Sequence, residues 1–186
     1  MADVRFLHSL ADVPASAWDA LHDGNNPFVS HAFLHGLEAH GCLREDWGWT
    51  PHHATLWEDG HVVAAAPGYL KGNSHGEFVF DHAWAHAYAQ HGLDYYPKWL
   101  GAVPYSPVTG PRLLANDNAH RTALLEAIRT EARDRNLSSA HVNFPTARED
   151  AAFPDAWLPR IAVQYHWRYP GHWRDFDGFL ADFDHK

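Results

Sequence analysis

The densest mixture of polar and aromatic side chains in the sequence is Asp81-His82-Ala83-Trp84, with Tyr88, Tyr95 and Tyr96 close behind. A carboxylate among aromatic rings suits two tasks: it can orient an imidazole, here His82 or His86, or accept an N–H of a substrate amine. Aromatic rings beside one acid also suit the wall of a ligand cleft. In the plainer reading, the same residues cap a helix and pack its face. A second group is Pro104-Tyr105-Ser106-Pro107-Val108-Thr109-Gly110-Pro111-Arg112, whose prolines and glycine restrict the backbone to one loop conformation. Such a loop, presenting Ser106, Thr109 and Arg112, would bind a carboxylate or phosphate, with the guanidinium gripping two oxygens. The alternative is a tight crossover whose arginine pairs locally. It is not a P-loop, because the Gly-Lys-Ser/Thr ending is missing.

Histidine is abundant, with 17 in 186 residues. His31 with His35, and His82 with His86, have the i,i+4 spacing that puts two imidazoles on one helical face, as in zinc-binding His-Glu-x-x-His helices. Ala32 and Ala83 stand where the catalytic glutamate would be, and at this abundance such pairs arise by chance. No metal is expected. The single cysteine, Cys42, rules out an internal disulfide and any multi-cysteine zinc or iron–sulfur centre. It follows a glycine at a helix C-terminus, where nothing lowers a thiol pKa, so it is a poor nucleophile. Neither Gly-x-Ser-x-Gly nor Gly-x-Gly-x-x-Gly occurs.

These residues need elements to hold them. Val4–Leu7 reads as a strand and Pro14–Leu21 as a helix with proline in its first turn. Ser30 reads as the N-cap of a helix that Gly41 ends. His53–Trp57 and Val62–Leu70 flank the turn Glu58-Asp59-Gly60 and read as a hairpin. Glu77–Asp81 reads as a third strand, and Ala83–His91 as a helix stopped by Gly92. From Asp117 or Asn118 to about Asn136 runs the clearest helix, with Leu124, Leu125, Ile128 and Ala132 as its buried stripe. Ala140–Phe144 is a strand, Ala147–Phe153 a short helix and Ala162–Arg168 a last strand. The implied fold class is mixed α/β: a mostly antiparallel central sheet flanked by helices. Asp175 then caps Phe176, Phe179, Leu180 and Phe183, an amphipathic helix start of about ten residues that is marginal unless packed and reads as the mark of a fragment or a truncated reading frame.

Composition bounds the function classes. Apolar residues make up 46% and charged residues 20%, as in an ordinary folded domain. No apolar run approaches the roughly 20 residues that span a bilayer. A net charge of −9 disfavours DNA and anionic membranes, although protonating every histidine would reverse its sign. The N-terminus, Met1–Phe6, lacks the basic start and apolar run of a secretory signal, so the reducing cytoplasm is the expected compartment.

Several blocks, in order, resemble a known family. They are Asn26-Pro27-Phe28-Val29-Ser30-His31-Ala32-Phe33-Leu34, Gly48-Trp49-Thr50-Pro51-His52-His53, Tyr69-Leu70-Lys71, and Gly76-Glu77-Phe78-Val79-Phe80-Asp81. Ala83-Trp84-Ala85, Tyr95-Tyr96-Pro97-Lys98, Pro107–Leu114 and Val163-Gln164-Tyr165-His166-Trp167 complete the set. Together they are similar to the FemAB-like family of predicted N-acyltransferases within the GNAT superfamily, often labelled peptidoglycan biosynthesis proteins. The likeness runs from about Val4 to Phe183.

The resemblance implies a GNAT-like fold, usually two such domains in tandem, with an acyl donor and an amine acceptor. Residues 1–174 would be the N-terminal GNAT-like domain, and residues 175–186 the start of a helix leading to a second domain or subunit. The Arg/Gln-x-x-Gly-x-Gly/Ala turn that holds the pyrophosphate of acetyl-CoA is absent here. The main site for acyl-CoA, or for an aminoacyl-tRNA in its place, would then lie in the other half, and this half would hold the small-molecule or peptide acceptor through its primary amine. In that mechanism Asp81 orients the amine and His166 accepts a proton. Arg112 and Lys98, with Thr109, hold an anionic acceptor, and Trp84, Tyr88 and Tyr96 wall the cleft. Two other readings stand beside it: a GNAT-like module that binds a ligand without chemistry, and a histidine-rich metal-binding protein.

Overall fold

The structure, a computed structural model, describes residues 2–183. Strand β1 (Asp3–Leu7) leads through a short turn of 3-10 helix to α1 (Ala15–Asp19) and α2 (His31–Ala39). Four strands follow: β2 (Thr50–Pro51), β3 (His53–Glu58), β4 (His61–Ala66) and β5 (Gly68–Lys71). Helix α3 (His82–Gln90) precedes β6 (Lys98–Gly101), and β7 (Leu114–Ala115) precedes the long α4 (Asn118–Asp134). The chain ends with β8 (Ala140–Val142), a 3-10 helix at Ala147–Ala152, and α5 (Phe176–Ala181). Residues 184–186 of the expected terminal helix lie outside the described residues.

The strands form two four-stranded sheets, ordered β1-β3-β4-β7 and β2-β5-β6-β8. Every pair is antiparallel except β6 with β8. The expected single strand Val62–Leu70 passes from one sheet to the other at Pro67, which has no N–H to give to a ladder. Its neighbour makes the same transition between Pro51 and His53, with His52 N donating to Gly68 O at 2.8 Å. Gly68 is required here. A Cβ would lie 2.3 Å from the Trp99 ring and 2.7 Å from the His52 carbonyl, while Trp99 Nε1 donates to that same carbonyl at 3.0 Å. The Glu58-Asp59-Gly60 turn forms as expected, with positive φ at both Asp59 and Gly60.

Both faces of the strands are covered. Ala64 and Ala66 of β4 pack with Leu124, Leu125 and Ile128 of α4, while Ala65 between them packs with Trp18, Val29 and Leu34. Three consecutive alanines bring helices close on either side. A third cluster, Trp49, Tyr69, Leu100 and Ala102, fills the second sheet. Local signals set the helix ends: Ser30 Oγ accepts from Phe33 N, Asp117 Oδ1 accepts from His120 N, and Gly41 and Gly92 follow α2 and α3 with positive φ.

Three expected elements differ. Glu77–Asp81 is a loop rather than a strand, and Ala147–Ala152 is a 3-10 helix. Residues 162–168 pair with no strand among the described residues. For Glu77–Asp81 and residues 162–168 the residue pattern is real, but the neighbouring strand it implies is absent among the described residues.

Candidate functional site

In the antiparallel register of β5 and β6, Lys71 stands directly opposite Lys98. Both lysines are fully buried. Like charges facing each other across a strand pair are destabilising, and a buried cation needs a partner. The loop from Gly72 to Asp81 supplies both acids. Lys98 Nζ donates to Asp81 Oδ2 at 2.6 Å, to Glu77 Oε2 at 3.0 Å and to Ser74 Oγ at 3.2 Å. Tyr95 donates its hydroxyl to Asp81 Oδ2 at 2.9 Å, and Tyr96 shares a hydrogen bond of 2.7 Å with Ser74. Lys71 Nζ donates to the His75 carbonyl and sits 3.7 Å above the Trp49 ring centroid.

The two carboxylates are 3% and 1% exposed, yet Glu77 Oε1 and Asp81 Oδ1 each lack a protein partner. Their surroundings pull them apart chemically. Burial raises the Glu77 carboxyl, and Lys98 offsets this only in part, so its pKa stays above the ordinary value. Burial also opposes ionisation of Asp81, but hydrogen bonds from Lys98, Ser74 and Tyr95 outweigh it and hold that carboxyl below the usual range. Burial brings the Lys71 ammonium down to about 8, reinforced by the Lys98 charge and opposed by Glu77. His141 of β8 falls to about 4, again chiefly through burial, and its ring lies 6.2 Å from that of Tyr95. Carboxylates whose proton affinities are separated by environment are the usual raw material of acid–base chemistry.

Above this cluster the loop turns its apolar side chains outward. Phe78, Phe80 and Trp84 are exposed, and Phe78 adopts φ +58°, a region aromatic residues rarely enter. Tyr88, Tyr95 and Tyr96 form a chain of edge-on rings 5.1 Å apart, with Tyr95 buried in the middle.

The structure therefore brings Asp81, Lys98, Tyr96, Tyr88 and Trp84 into one region, and it corrects several roles. Asp81 orients neither His82 nor His86: its carboxylate faces inward, while His86 is exposed and bonds Gln90. Lys98 is spent on the two acids rather than left free for an anionic ligand. Arg112 is also fully buried, and its guanidinium donates to the carbonyls of Asn143, Pro111 and Val108. Burial lowers its pKa to about 10. It holds the loop rather than a ligand, and Thr109 beside it points to solvent without that partner. His166 is exposed, and its hydrogen bond goes to Gln164, two residues away. Among the described residues no group of three or more His, Cys, Asp or Glu could hold a metal ion, and no helix is long and apolar enough to cross a membrane.

Sequence reasoning missed Glu77, Lys71 and His141. The signal for the first two was present: a lysine closing one apolar strand, another opening the next, and between them a segment with acids four residues apart. Two surface hollows, of about 420 and 390 Å3, lie elsewhere, one beside Trp57 and His120 and the other beside Phe6 and Glu131.

Comparison with known proteins agrees with this architecture. No curated protein sequence matches the chain. Among solved structures, it is similar to the crystal structure of a ribosomal-protein-alanine N-acetyltransferase from Brucella melitensis biovar Abortus 2308. The TM-score is 0.50 at 16% identity, covering 91% of this chain and 99% of that one. At that identity the likeness establishes the fold, which is GNAT-like. The model of the FemAB-like family, described as peptidoglycan biosynthesis/recognition, matches residues 9–186. With almost its whole length matched, the chain belongs to the FemAB-like family.

Proposed function

We propose that this chain is the acceptor-binding, GNAT-like half of a FemAB-like N-acyltransferase acting in the cytoplasm. The observation that carries this reading is the pair of buried carboxylates, Glu77 and Asp81, that share Lys98 and each keep one oxygen without a protein partner. An unpaired buried carboxylate oxygen is costly, and a primary amine supplies the N–H groups that would satisfy it.

In this reading the amine of a peptide, cell-wall precursor or small molecule lies between the two free oxygens. The exposed rings of Phe78, Phe80 and Trp84 contact its apolar parts. Asp81, kept ionised by Lys98 and Tyr95, orients an N–H. Glu77, the more readily protonated of the two, takes the proton as the nitrogen forms its bond to the acyl carbon and the thioester or ester bond breaks. The donor is acyl-CoA or aminoacyl-tRNA, held chiefly outside residues 1–174. The lack of an Arg/Gln-x-x-Gly-x-Gly/Ala turn in these 186 residues favours the second reading, a module that recognises its ligand and performs no transfer.

Calorimetric titration of the chain with amine-bearing cell-wall peptides and with their N-acetylated forms separates these ideas. The free amine should bind and the blocked amine should not. Asp81→Asn and Glu77→Gln, in protein still folded by circular dichroism, should each weaken binding at least about tenfold, as for loss of a charge-assisted contact. Equal binding of the free and blocked peptides sinks the assignment. Transfer from acetyl-CoA by the chain alone would overturn the division of labour between halves.

A further inference from the structure

Building on the amine site proposed above, we infer that Lys71 holds an anion there, so that the acceptor bears a carboxylate close beside its amine, as an unblocked amino acid does. Lys71 and Lys98 face each other across β5 and β6. Residues directly opposed in an antiparallel pair project from the same face, with Cα atoms about 4.5–5.5 Å apart. Both side chains are fully buried, but their partners are unequal. Lys98 takes the carboxylates of Glu77 and Asp81 and the hydroxyl of Ser74. Lys71 has, among the described residues, no carboxylate within ion-pair distance. One of its three N–H groups goes to the His75 carbonyl at 3.1 Å, and the Trp49 ring lies beneath the ammonium.

A buried ammonium without an anion is costly. If the position needed only to be filled, methionine would lie on Trp49 at less cost, since an apolar group of similar size in place of a buried charge is often neutral or stabilising. The cluster thus has spare bonding capacity of two kinds. Among the described residues, two N–H groups of Lys71 lack an acceptor, while Glu77 Oε1 and Asp81 Oδ1 lack a donor. An amine satisfies the acids, and a carboxylate satisfies the lysine. The acids gather round Lys98, one rung across from Lys71, so the two groups of the ligand lie a few ångströms apart, as they do on one amino acid. Burial lowers the Lys71 pKa to about 8, and Glu77 restores it only in part; a carboxylate in contact would raise it further. Access is through Gly72-Asn73-Ser74-His75-Gly76, which touches both ammonium groups through Ser74 and His75 and is exposed at Gly72 and His75. A carboxylate that takes the place of the His75 carbonyl puts opposite charges in contact away from water, where their attraction is greatest.

The test is calorimetric titration of the whole chain with alanine, alaninamide and N-acetylalanine, which carry both groups, the amine alone and the carboxylate alone. Alanine should bind at least about tenfold more tightly than either blocked form. Lys71→Met should abolish the preference for alanine over alaninamide and leave the remaining affinity for the amine. The thermal midpoint of that variant should equal or exceed the parent's, because no acid loses a direct partner. A lower midpoint makes Lys71 a structural cation and overturns the inference. Equal binding of alanine and alaninamide by the unaltered protein, which needs no variant, also overturns it, while the amine site stands if N-acetylalanine remains weak. Equal binding of alanine and N-acetylalanine sinks the amine site and this inference with it. No binding of alanine at about 10 mM overturns this inference alone, because amine-bearing peptides test the amine site separately.

Discussion

Lys98 is the residue on which the charged cluster depends. It is fully buried and answers two acids that, among the described residues, have no other cation within bonding distance. Removing one member of a buried ion pair strands the other charge, at a cost of about 3–5 kcal/mol. Lys98→Met should therefore destabilise the protein by about that much in urea unfolding. The triple variant Lys98→Met, Glu77→Gln, Asp81→Asn should recover most of the loss, since the neutral set leaves no uncompensated charge. A loss below about 1 kcal/mol for the single variant would mean that water reaches the site freely. Legibility at this scale was uneven. Asp81 stood out from its aromatic company, but its real partner, Lys98, lies 17 residues on, and only the strand register brings the two together. Arg112 was legible as a fixed residue and misread as a ligand, because its acceptors are backbone carbonyls that carry no sequence signature.

At the level of elements, the bend between the two sheets rests on Gly68 lying under Trp99. A methyl group there would press on the indole and on the His52 carbonyl, neither of which can retreat without losing the Trp99–His52 hydrogen bond. Gly68→Ala should cost about 1–3 kcal/mol, as overpacking does, and blue-shift or quench the Trp99 component of the fluorescence. Gly36→Ala, with open space around its Cβ position, should be neutral or stabilising. Helix α4, the hairpin turn and the caps at Ser30 and Asp117 were legible because their signals are local. The segment Glu77–Asp81 was misassigned for an instructive reason: its alternation is real, with the acids turned in and Phe78 and Phe80 turned out, but Lys98 satisfies the inner side instead of a neighbouring strand.

Taken whole, the molecule buries His52 and His53 completely, each against a carboxylate. His53 accepts from Gly68 N at Nδ1, so its other nitrogen carries the proton it gives to Glu38. Burial lowers the pKa of His52 despite its hydrogen bond with Glu131, and that of His141 to about 4. For His52 and His141 the unfolded chain binds more protons than the folded one between the folded value and about 6.5. Stability therefore rises with pH through that window and is lost as pH falls through it. The thermal midpoint should drop by at least about 5 °C between pH 7 and pH 4, at roughly 2–4 °C per kcal/mol for a chain of this size. His141→Phe should flatten the fall, and an unchanged slope in that variant would remove His141 from the account. The fold class was legible from the order of elements. The division into two sheets was not, because it turns on Pro67 and on which strand lies beside which.

Glu149 gives the order of synthesis a physical meaning. Its carboxylate receives the backbone N–H groups of Arg112 and Leu113 at 2.7 and 2.6 Å, and it also binds both the amide and the hydroxyl of Thr146. The crossover from β6 to β7 is thus secured by a residue made 36 positions later, and β6 itself takes a parallel neighbour, β8, from the same late stretch. Parallel and long-range pairings close slowly, because the intervening chain must be ordered first. A nascent chain that has not yet exposed Glu149 carries two buried amides without acceptors and a sheet with one side open. During translation the N-terminal hairpin can form early. The charged cluster on β6 must wait for the ribosome to finish the segment that holds its strand in place.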